Sequence, residues 1–96
     1  MRRAARVDAN QEQIVSALRA AGASVHSLAS VGLGIPDLLV GYNGFTVLME
    51  IKDGNKPFSQ QRLTPAQQKF HKEWTGGSIA VVNSAEGALR ILRICK

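Results

Sequence analysis

"IPDLLVGYNGFTVLMEIKDG", residues 35–54, decides the fold. Asn43-Gly44 at its centre suits a two-residue type I′ turn, in which both central positions take positive φ. On either side, "DLLVGY" and "FTVLMEIKD" are rich in aliphatic, β-branched and aromatic residues and predict two antiparallel strands. In the second strand Phe45, Val47, Met49 and Ile51 share one face, and Thr46, Leu48, Glu50 and Lys52 the other. Charges are costly inside an apolar sheet unless paired, hydrated or bound to a metal, so Asp37, Glu50 and Lys52 demand a reason. Pairing outward from the turn sets Tyr42 against Phe45 and Asp37 roughly against Glu50. Two neighbouring carboxylates repel each other. A hard divalent ion such as Mg²⁺ reconciles them, taking one or two carboxylates with water and phosphate, and the Ile51 carbonyl offers a further oxygen. Lys52 would then stand beside metal-bound water and phosphate, stabilising charge in the transition state. Simple neutralisation of Glu50 by Lys52 is the plainer role for an isolated pair. Pro-Asp, a hairpin and Glu-x-Lys at matching register together favour a site.

The flanking segments supply the other elements. Upstream, "ASVGLGIP" is a glycine-rich loop, and "SVHSL" at 24–28 alternates as a strand. Before it, Asp8 is placed to cap a helix with Gln11 in the capping-box position, Ile14, Leu18 and Ala21 at helical spacing, and Gly22 as stop. Downstream, residues 53–63 form a polar, basic loop. "TPAQQKFHKEW" then opens a helix with Thr64 as cap, Pro65 at the first helical position and Gln67 completing a capping box. Ala66, Phe70 and Trp74 are its expected core stripe, and Gly76-Gly77 its end. "SIAVV" predicts a strand buried on both sides. Asn83-Ser84 caps a last helix carrying Ala88, Leu89, Leu92 and Cys95. The order is α-β-β-β-α-β-α: an α/β fold with a mixed β-sheet flanked by helices on both faces.

Ninety-six residues fit one domain, 1–96, with a basic tail "MRRAAR" at 1–6. Twelve Lys and Arg against seven Asp and Glu give a net charge of +5, which points to an anionic partner, nucleic acid foremost. The one cysteine, Cys95, cannot form an internal disulfide, so a reducing compartment is expected. Met1-Arg2-Arg3 is not followed by an apolar signal-peptide core, and no segment approaches the roughly 20 apolar residues of a membrane span. A soluble cytoplasmic protein without membrane contact is expected. His26 and His71 are too far apart and too unaccompanied for a zinc site, leaving surface or packing roles. Cys95 reads as core or interface, and Phe70 and Trp74 as helix core before base-stacking platforms. "GLGIPD" precedes a strand, whereas a phosphate-binding P-loop precedes a helix.

The pattern "GIPDLLV…VLMEIKDG…LTPAQQKF" resembles the virus-type replication-repair nuclease (VRR-NUC) domain of the PD-(D/E)xK nuclease superfamily, from about Glu12 to Leu92. The resemblance implies a restriction-endonuclease-like core, metal ligands at Asp37 and Glu50, and a catalytic lysine at Lys52. It adds Glu12, binding metal through water, and Gln67 in the active site. Glu12 reads equally as a solvated first-turn acid favoured by the helix dipole. For Gln67 the capping role and the active-site role are compatible. The implied activity is a Mg²⁺-dependent DNA endonuclease, with Mn²⁺ as an alternative ion, in a bacterial cell or a cell infected by a bacterial virus. Arg2, Arg3, Arg6, Lys56, Arg62, Lys69 and Lys72 are candidates for gripping the DNA backbone, each also readable as an ordinary solvated charge. Little of the chain is left for base readout, so DNA shape is the expected determinant. Stand-alone members of the family resemble resolvases that cut four-way junctions as homodimers. The apolar helix "ALRILRIC" would supply an interface, or simply pack on the sheet. Two rivals are a basic DNA-binding module without catalysis and a restriction-type endonuclease that reads duplex sequence. The juxtaposed acids speak against the first.

Overall fold

A computed structural model describes residues 10–95. The elements follow the expected order: α1 (Gln11–Ala20), β1 (Ser24–Ser27), β2 (Leu38–Tyr42), β3 (Phe45–Ile51), α2 (Pro65–Glu73), β4 (Ser78–Val82) and α3 (Ala85–Ile94). A short 3₁₀ turn, Phe58–Gln60, interrupts the loop between β3 and α2. The hairpin turns where the sequence places it, with Asn43 at φ +52° and Gly44 at φ +83° and Tyr42 paired to Phe45. The sheet runs β1-β2-β3-β4, with β2 antiparallel to both β1 and β3 and β4 parallel to β3. A parallel neighbour requires a crossover, and the segment containing α2 provides it.

Register and alternation define two unlike faces. Val25, Leu38, Val40, Val47, Met49, Ile51 and Val82 point to one side, where Ile14 and Leu18 of α1 and Ala88 and Leu92 of α3 close the core. Ile14 and Leu18, one helical turn apart, are both fully buried. Gly22, at φ +101°, ends α1 as a left-handed stop. Cys95 is buried against this core, as its place on the apolar helix end predicts.

Three expectations give way. The cap of α1 is Asn10, and its side chain makes no capping hydrogen bond. Its amide instead donates to the carbonyls of Lys52 and Asn83, both 3.0 Å away, tying the helix start to the ends of β3 and β4; Asp8 lies outside the described residues. The stripe Ala66-Phe70-Trp74 is not core: Ala66 is exposed, Trp74 is 42% exposed, and Phe70 is only half-buried, stacked on Trp74 at 5.3 Å. Finally, β4 is an edge strand covered on one side, so Val82 is buried while Val81 is 50% exposed. Tertiary placement overrides an all-apolar run. Among the described residues, no helix is long and apolar enough to cross a membrane.

Candidate active site

The second face of the sheet carries the charged residues. Asp37 lies one residue before β2, and continuing the Leu38–Met49 pairing by one step sets it opposite Glu50, as expected. Its Oδ2 accepts a 2.7 Å hydrogen bond from the Ile51 N–H, so the carboxylate is held against the end of β3. Its own carbonyl accepts from the Leu28 N–H at 2.7 Å, fixing the loop that leads in. Glu50, near the end of β3, is 1% exposed. Lys52 follows β3 directly, its main-chain N–H donating to the Val82 carbonyl at 2.9 Å while Asn10 holds its own carbonyl.

Helix α2 completes the cluster. Gln67 sits at its third position, and the side-chain Oε1 accepts from the Thr64 N–H at 2.9 Å while Thr64 Oγ1 accepts from the Gln67 N–H. This is the capping box the sequence predicts. The same Oε1 accepts from Lys52 Nζ at 2.7 Å, and Nε2 donates to Glu50 Oε2 at 3.3 Å. The capping role expected of Gln67 is therefore present, and the same amide also bonds Lys52 and Glu50. One turn on, His71 places Nε2 3.7 Å from Glu50 Oε1. That nitrogen is buried and has no hydrogen-bond partner. Desolvation, and secondarily the Lys52 ammonium, hold its pKa below the ordinary histidine value.

The loop before Asp37 presses on the start of α2. Gly34 has φ +77°, and a Cβ there would collide with the Ala66 carbonyl. Glycine is required on both counts. Beside Lys52, an open cleft of about 170 Å³ is lined by Val81, Asn83, Gly87 and Ile91 among others. In register with Glu50, the half-exposed Val81 leaves the β4 side of the site accessible.

Glu50, Lys52 and Gln67 are thus joined, and Asp37 is held alongside on the Ile51 N–H. Glu12 does not join them: it is exposed on α1, and no hydrogen bond or ion pair connects it to the others. Lys56, Arg62, Lys69 and Lys72 are all exposed, whereas Arg2, Arg3 and Arg6 lie outside the described residues. His71, expected in a surface or packing role, lies beside Glu50 in the cluster. The signal was its spacing, four residues after Gln67 on the same helix face. Asn10 was also missed, because its role depends on contacts 42 and 73 residues away.

Among the described residues no three His, Cys, Asp or Glu side chains converge as a metal-holding group. Two carboxylates at one sheet end still fit a hard divalent ion, whose shell commonly includes water and phosphate. The Ile51 carbonyl follows Glu50 directly in the chain. In comparisons with protein-family models, curated proteins and solved structures, the chain matches none.

Proposed function

We propose that the chain is a metal-dependent DNA endonuclease. One observation carries this reading: the Gln67 amide joins Glu50, buried in the sheet, to Lys52, with Asp37 anchored alongside on the Ile51 N–H. A fold needing only stability gains little from burying a carboxylate beside a second acid.

In this reading Asp37, Glu50 and the Ile51 carbonyl hold Mg²⁺ or Mn²⁺. The bound ion supplies a Lewis acid and a water acidic enough to serve as nucleophile. Lys52, aimed by the Gln67 oxygen, stabilises the negative charge that builds on the phosphate. Gln67 also orients the Glu50 carboxylate through Nε2. The exposed Lys56, Arg62, Lys69 and Lys72 supply sequence-independent contacts to the DNA backbone. The substrate in this reading is the one the family resemblance implies: a branched or four-way junction recognised by shape and cut by a homodimer whose paired sites match the junction's symmetry.

The test is a cleavage assay on labelled four-way junction, flap and linear duplex, with Mg²⁺ or EDTA, beside Glu50→Ala and Lys52→Met. Metal-dependent cutting of the junction, abolished in both variants, is expected. Binding without cutting on every substrate would leave a non-catalytic DNA-binding module. Cuts confined to defined duplex sequences would indicate a restriction-type enzyme.

A further inference from the structure

The loop that leads into Asp37 carries a residue with no part in the chemistry above. Leu33 is 85% exposed and stands at φ +60°, a left-handed conformation that is costly for a bulky side chain. An exposed apolar residue on a strained backbone serves neither the core nor the stability of the loop. Gly32 and Gly34 flank it at φ +72° and +77°, and Gly34 lies too close to the Ala66 carbonyl for any Cβ. Leu33 lines an open pocket of about 210 Å³ together with Ala66, Lys69, Phe70 and Glu73 of α2. Phe70 is in turn stacked on Trp74, with 5.3 Å between ring centres, and the indole Nε1 donates to the Gly77 carbonyl at 2.8 Å. Both walls of the pocket lead to the candidate active site. Leu33 comes four residues before Asp37, a span of at most about 14 Å. Phe70 lies on α2 between Gln67 and His71, the two residues that reach Glu50.

We infer that this pocket seats an unpaired base of branched DNA between Leu33 and Phe70, and that the seat selects a branch over continuous duplex. Resting on the nuclease reading, it supplies the residues behind that reading's substrate preference. An apolar wedge parts a base from its stack, and an aromatic ring receives the freed base whatever its identity. A base at a branch or bulge is cheaper to draw out than one inside a duplex. The charges of the rim suit a nucleotide. Lys69 is placed for its phosphate, and the Glu73 carboxylate can accept from a base amino group.

Fluorescence anisotropy measures binding of the full chain to a plain duplex, the same duplex with one bulged thymidine, and a four-way junction, in EDTA so that nothing is cut. The wild type is expected to hold the bulge and the junction more tightly than the duplex. Asparagine adopts positive φ readily, so Leu33→Asn keeps the fold while removing the wedge. It should lose about 10-fold in affinity for the bulge and the junction and nothing for the duplex, and Leu33→Met should keep the preference. With 5-iododeoxyuridine at the bulge, photocrosslinks are expected at Phe70 or Trp74. Equal wild-type affinity for all three DNAs, unchanged affinities in Leu33→Asn, or crosslinks confined to other residues would overturn the seat and leave DNA binding standing. A wild-type dimer in sedimentation that Leu33→Asn splits would also overturn it, by giving the patch to a second copy of the chain. Absence of binding to any of the three would overturn the nuclease reading itself, and the inference with it.

Discussion

At the residue scale, Gln67 carries two jobs that substitutions can separate. Thr64→Ala removes the cap hydroxyl but leaves the Gln67 bonds to Lys52 and Glu50. It is expected to lower stability by about 1 kcal/mol in urea unfolding with cleavage largely retained. Gln67→Ala should cost a similar amount of stability and also slow cleavage about 100-fold, because Lys52 loses its orienting acceptor. Gln67→Glu keeps a side chain able to close the capping box, yet sets a carboxylate beside Glu50. We predict near-normal folding for it and loss of cleavage. His71 gives a third expectation, for the protein in EDTA. Its folded pKa lies below the unfolded value of about 6.5, so between the two the unfolded chain binds more protons. Stability from this group is present above pH 6.5 and is lost as pH falls through the folded pKa. Urea midpoints at pH 7.5 and at pH 5 should therefore differ less in His71→Gln than in the wild type.

At the scale of elements, α2 stands apart. None of its residues is buried, and Gln67 and His71 reach Glu50 and Lys52 at the end of β3. The loop before Asp37 therefore has unusual influence over it. Gly34→Ala and Gly32→Ala both force alanine into positive φ, but only Gly34 would also strike the backbone of α2. We expect Gly32→Ala to cost about 1 kcal/mol and Gly34→Ala clearly more, with a fall in cleavage only for the second. The hairpin was legible in the sequence because its signals are local: a turn dipeptide and two alternating runs fix register without help. Asp37 faced Glu50 for the same reason. Which side of α2 looks inward was not legible, since Ala66-Phe70-Trp74 and Gln67-His71 are adjacent stripes at the same spacing. Only the crossover to β4 chooses between them, and it turns the polar stripe inward. The exposure of Val81 escaped for a related reason, because an edge strand and a central one read alike when every residue is apolar.

At the scale of the molecule, the two sheet faces divide the labour. One is closed by α1 and α3 into a dry core; the other gathers the polar cluster under α2 and is open towards β4. Exposed Lys56, Arg62, Lys69 and Lys72 lie in or around the β3–α2 segment on the chain. If they touch DNA phosphates, log Kd measured against log salt concentration should lose about one unit of slope for each of them replaced by Gln, with little change in preference among sequences. A uniform slope across such variants would remove these residues from the DNA surface. The shared oxygen of Gln67 carries a thermal consequence. Because the bond that starts α2 also steers the Lys52 ammonium, loosening of that first turn should silence the proposed cleavage while the sheet is intact. On gradual warming, turnover would fade several degrees before ellipticity does, and cooling would restore it at once.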